Sequence, residues 1–182
     1  MSLTPNEAAA ALRDIETVGR RSGQAFGYRY SGPYFVTWGL VWVAGYTGTD
    51  LLPHYAGTIW IASLIGGLIA TTLLGARQPK GSRKNGIQAF GVVAIAFLFI
   101  MATYAVMWPV SPAQQAAFVP LLAAAAYSGV GLWAGARWIV AGVGIAVLTL
   151  AGFFLLQQHF SLYMAVVGGG GLILAGLWMR SA

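Results

Sequence analysis

The sequence predicts an all-α integral membrane protein: six transmembrane helices in three helical hairpins, both termini in the cytoplasm, preceded by a cytoplasmic amphipathic helix. Three observations predict it. Hydrophobic residues make up 58% of the 182-residue chain and charged residues only 8%, against about 25% in soluble domains, so the chain cannot cover an ordinary water-facing surface. Segments 30–76, 85–136 and 138–179 hold no Lys or Arg, and each has room for two helices of about 20 residues, the length a ~30 Å hydrocarbon core requires. Each also carries a polar or Pro-rich break near its middle, at Asp50/Pro53/His54, at Pro109-Val110-Ser111-Pro112 and at Gln157-Gln158-His159. All ten basic residues then fall on one side, the cytoplasmic one, because Lys and Arg resist translocation. The same partition accounts for the net charge of +6 as topology, and no nucleic-acid partner is expected.

Residues 1–30 are expected to form the cytoplasmic helix and a linker, and residues 31–182 the membrane domain. Thr4-Pro5-Asn6-Glu7 has the form of a capped helix start. Ala8, Ala11, Leu12, Ile15 and Val18 recur at helical spacing, which predicts an amphipathic helix over about 5–21, ending near Gly19 or Gly23. Gly32-Pro33 suits the start of a new helix, since proline is tolerated in a first turn. The spans are expected at about 33–52, 56–76, 86–108, 113–135, 138–156 and 160–179. The lipid bilayer is thus the first partner.

Small residues mark the expected helix contacts. Ser63, Gly67, Thr71 and Gly75 form a stripe at spacing four, and Gly131–Gly135, Ala165–Gly169 and Gly171–Ala175 are small-xxx-small pairs, the usual interface of helices in lipid. Opposite them, Tyr34, Trp38, Trp42 and Tyr46 lie on one slowly winding stripe. It reads either as packing against glycine-rich neighbours or as a surface for a flat lipophilic ligand.

The sequence contains no catalytic or metal motif of high specificity, and with no cysteine it has no thiolate chemistry, so an enzyme is not expected. His54 and His159 fall on the outer side beside Asp50 and are the candidate haem or metal ligands, although no cofactor is required. No ionisable residue falls inside an expected span away from its ends, which argues against a proton-coupled pump. Arg13, Arg20 and Arg21 on the N-terminal arm, with Arg77, Lys80, Arg83 and Lys84 in the largest cytoplasmic loop, are the candidate contacts to anionic lipid or to a protein partner. The expected function is that of a small non-enzymatic inner-membrane protein of bacterial type, an accessory, assembly or regulatory subunit working through its cytoplasmic face. The alternative is a transporter or channel for a small neutral or lipophilic solute, homo-oligomeric because six short helices enclose little volume. A haem- or metal-binding membrane protein stands third.

Overall fold

Apolar runs of about 20 residues, punctuated by Pro, Gly and polar clusters, set the helices. The computed structural model describes the backbone of residues 5–77 and 83–181 and, within these, the side chains of 14, 18, 19, 22–77 and 95–181. The helices are α1 (Pro5–Leu51), α2 (Ala56–Ala76), α3 (Arg83–Val106), α4 (Pro112–Ala134), α5 (Ala136–Leu155), α6 (Phe160–Tyr163) and α7 (Gly170–Arg180), with a π-helical segment, Met164–Gly169, joining the last two into one rod. Short 3₁₀ turns at Pro53–Tyr55 and Gln157–His159 close two of the connections. No strand occurs among the described residues.

Local chemistry explains the breaks. Ser111 caps α4 with a reciprocal pair: its hydroxyl accepts from the Gln114 N–H at 3.2 Å, and the Gln114 side chain accepts from the Ser111 N–H at 2.9 Å. Pro112 follows at the first helical position, where its missing N–H has no partner to lose. Between α4 and α5 the chain reverses on Gly135 alone, at φ 112°, a backbone region that only glycine enters cheaply.

Pro53–Ala76, Pro112–Ala134, Ala136–Leu155 and Gln157–Arg180 are long and apolar enough to cross a membrane, and α3 adds the shorter apolar stretch Ile95–Val106 among its described residues. The expected first span is not one of the four. Its helix, α1, carries Trp, Tyr, Gly and Thr where the others carry aliphatics, because it packs inside the bundle, against α2, α6, α7 and the π segment. The flanks of α2 and α3 remain apolar and open, with Ile61, Ile65, Ile69, Phe97 and Leu98 all exposed. A helix apolar on its outer side matches lipid as its solvent.

The N-terminal reading needs a correction. No linker separates an amphipathic helix from a first span: α1 is one helix of 47 residues, roughly 70 Å long, running through Gly19, Gly23 and Pro33. An interior proline costs about 3 kcal/mol and leaves the carbonyl four residues earlier unpaired. Tertiary packing offsets that here. Tyr28 and Phe35, on either side of Pro33, are both buried in the same core, and only an unbroken helical phase presents both to it.

The α1–α7 seam is built backbone to backbone. A Cβ on Gly32 would lie 2.6 Å from the Gly176 carbonyl oxygen, and one on Gly176 would lie 2.6 Å from that of Gly32. One turn pair further, Gly39 and Gly169 repeat the reciprocity at 2.8 and 2.9 Å. The helices are therefore antiparallel, and glycine is needed at all four positions. In lipid, where apolar surface gives helices no reason to associate, such close approach supplies the cohesion.

Against α2 the pairing is aromatic on glycine. Trp60 of α2 covers Gly45 of α1, and Trp38 and Val41 of α1 cover Gly67 of α2. The small stripe of α2 thus faces the large residues of α1, as expected. The four-glycine run of the last span divides: Gly168 packs near Trp42 and Met164, Gly169 meets α1, while Gly170 and Gly171 face open space.

Candidate functional sites

The inward seam of α1 is not the spacing-four stripe. Tyr28, Gly32, Phe35, Gly39, Trp42 and Tyr46 are buried at alternating steps of four and three, with Val41, Gly45 and Gly48 buried beside them. The mean of those steps matches the 3.6 residues of one helical turn and so holds one face toward a partner helix, whereas a step of four drifts about 40° each time. Trp42 and Tyr46 belong to both patterns and are buried; Tyr34 and Trp38 lie at the edge, half-buried. Phe35, 2% exposed, was missed, although the interleaved aromatics and glycines were there to be read.

Trp38, Trp42 and Tyr46 form one wall of a cavity of about 540 Å³ completed by Trp60 of α2, Tyr104 of α3 and Tyr127 of α4. Three of its polar tips are committed elsewhere. The Tyr46 hydroxyl donates to the Ala116 carbonyl at 2.6 Å, Tyr104 donates to the Gln115 carbonyl at 3.0 Å, and the Trp60 ring N–H donates to Thr49 Oγ1 at 2.9 Å. Tyr46 meets Trp42 and Trp60 edge-on, at centroid distances of 6.1 and 5.1 Å. The cavity therefore offers mainly ring faces and edges, a lining that suits a flat apolar molecule better than an ion.

A second cavity of about 300 Å³ lies between α3, α4 and α5, bounded by Tyr104, Phe118, Thr149 and Phe153. Thr149 is fully buried and its hydroxyl has no hydrogen-bond partner, unlike Thr37, Thr49, Thr71 and Thr103, which bond back to the preceding turn. Thr149→Val is expected to leave the thermal unfolding midpoint of the purified protein unchanged, or to raise stability by about 1 kcal/mol, since removing an unmatched buried hydroxyl costs nothing. A drop of that size instead would mean that the hydroxyl has a partner.

Near the middle of α1, at Tyr28, three elements meet on Arg137. Its guanidinium donates to the Trp178 carbonyl at 2.6 Å and stands over the Trp178 and Tyr28 rings, 4.9 and 5.4 Å from their centroids. The Arg137 N–H donates to the Tyr28 hydroxyl at 3.4 Å, and the absent side chain of Gly135 leaves room for that hydroxyl. One side chain thus joins α1, the α4–α5 turn and the end of α7. In the sequence Arg137 counts only as one of the ten basic residues that mark topology.

The remaining candidates are placed as follows. His54 packs edge-on against Tyr55 at 5.1 Å, and His159 is exposed in the turn before α6. Among the described residues no group of three or more His, Cys, Asp or Glu could hold a metal ion. Arg77 is exposed at the end of α2 and lines a cleft with Arg29 and Arg180. The side chains of Arg13, Arg20, Arg21, Lys80, Arg83 and Lys84 lie outside the described residues. Compared with known proteins, the chain matches no family model, no curated protein and no solved structure.

Proposed function

We propose that this chain is a six-span protein of the inner (plasma) membrane, with both termini cytoplasmic, that acts without catalysis as an accessory, assembly or regulatory subunit. The observation that carries this reading is the projecting half of α1. Gly32 is level with Arg180, the last residue of α7, so the helix before it extends past the end of the last rod. Among the described residues, a Cβ on Gly19, Gly23 or Gly27 would meet no heavy atom within 4 Å. The helix before Gln24, about 28 Å long, serves in this reading as the recognition element for a protein partner, beside an end that gathers Arg29, Arg77, Arg137 and Arg180. Orientation follows from the charge asymmetry.

Deletion of residues 1–23 tests it. This truncation keeps Gln24, which packs toward the Gly135 turn, and so spares the bundle. Affinity purification from the native host should lose a specific co-purifying protein, while the thermal midpoint of the truncated bundle stays within about 2 °C of the full chain. Recovery of the same protein by the truncated form sinks the proposal.

A second reading is favoured by the aromatic cavity: binding or carriage of a flat lipophile that enters from the bilayer between α2 and α4. Organic extraction of the purified protein, with Trp42→Ala as comparison, distinguishes it. A wild-type extract no richer in any lipophile than that of the variant counts against this reading.

A further inference from the structure

Beside the Arg137 junction, α1 and the ends of α2 and α7 enclose a cleft of about 490 Å³ whose charged lining is three guanidiniums, those of Arg29, Arg77 and Arg180. Two glycines shape it. At Gly32 a Cβ would collide with the aliphatic stem of Arg180, so bare backbone there lets that stem lie across α1 and brings its charge beside Arg29. At Gly75 a Cβ would stand 3.5 Å from the Tyr34 hydroxyl, so the Tyr34 ring reaches across to α2. The rest of the wall is aromatic and aliphatic, with Phe26, Tyr30 and Leu74.

Three like charges in one cleft repel unless something neutralises them. Among the described residues none of the three forms an ion pair with a carboxylate. Along α1, Arg29 is separated from Glu16 by roughly 20 Å of helix axis and from Asp50 by roughly 30 Å. Arg29, Arg77 and Arg180 are all exposed, so an anion from outside the chain can reach them. Guanidiniums present paired donors that match the oxygens of a phosphate. The cleft also opens where α2 and α7 end and where the exposed aliphatic flank of α2 (Leu68, Ile69, Leu73) begins, which is the depth of a lipid headgroup joined to its acyl chains.

We propose that this cleft is a binding site for an anionic phospholipid: Arg29, Arg77 and Arg180 hold the phosphodiester, and an acyl chain descends past Leu74 along α2. The lipid is favoured over a free phosphate because Phe26, Pro33 and Leu74 line the cleft and lead onto the exposed aliphatic flank of α2.

The full chain, reconstituted in phosphatidylcholine vesicles containing a minor fraction of phosphatidylglycerol and then extracted in mild detergent, is expected to retain phosphatidylglycerol about tenfold over its bulk proportion, the ratio that corresponds to roughly 1.4 kcal/mol. Arg29→Gln with Arg180→Gln keeps both stems and removes two charges, and should bring retention back to the bulk ratio. A photoreactive phosphatidylglycerol should label wild-type peptides containing Phe26 to Tyr34 and Leu74, an arm that needs no variant and decides the matter if the double variant does not fold. Unselective retention, selectivity that survives the double substitution in a folded protein, or label placed elsewhere each overturns the proposal. So does displacement of the lipid by an equal concentration of inorganic phosphate, which would assign the cleft to a soluble anion.

Discussion

Gly39→Leu is expected to unseat α1 from the last rod and to destabilise the protein more than any other single change described. A Cβ at this position would stand 2.7 Å from the Ile173 side chain and 2.8 Å from the Gly169 carbonyl oxygen. The isoleucine can turn aside, but the carbonyl belongs to the π segment's backbone and cannot yield without moving the rod. Overpacking of this kind costs about 1–3 kcal/mol where side chains give way; with backbone on both sides the upper figure applies, and the thermal midpoint should fall by about 10 °C. Gly170→Leu is the control, because open space surrounds Gly170, and it should remain close to wild type. Equal midpoints for the two variants would show that the seam does not hold the helices together.

Arg137→Ala is expected to have the second-largest effect, about 2–3 kcal/mol. A charge-assisted hydrogen bond contributes about 1.5–3 kcal/mol, and each ring contact adds about 0.5–1 kcal/mol at a partly exposed site; partial exposure holds the total below the sum. The loss should appear as a lower thermal midpoint together with faster proteolysis behind Met179, because the end of α7 loses its tie to the α4–α5 turn. Arg137→Lys should recover only part of it: one ammonium keeps a charge near the rings but lacks the planar fork that reaches the Trp178 carbonyl while facing both. If alanine leaves both readouts unmoved, the junction does not hold α7.

Residue chemistry made some of this legible in advance and hid the rest. The breaks at Pro53, at Ser111-Pro112 and at Gln157–His159 are local signals, and the helices stop where those residues stand. The small face of α2 was legible too, since small residues at spacing four in an apolar helix have few other uses. The continuity of α1 was not. Gly32-Pro33 is a true local break signal, overridden by burial of Tyr28 and Phe35 on elements far away in sequence, and no window centred on the proline contains that fact. The aromatic stripe failed in its period: spacing four was counted, but a straight helix keeps one face on its partner at about 3.6 residues. Arg137 meets a carbonyl 41 residues away, and the Arg29–Arg77–Arg180 cleft joins three helix ends. Neither could be drawn from spacing before the helices had been placed around one another.

The unbroken course of α1 makes it a lever. Its inner part is held by Tyr28 at the Gly135 turn and by Gly32 and Gly39 against the last rod, while about 28 Å of helix precedes Gln24. With no loop between the two to absorb motion, a tilt of the outer part passes to those contacts and through them to Trp42 on the cavity wall. An event at the far tip of the helix and the shape of the aromatic chamber are therefore mechanically one variable.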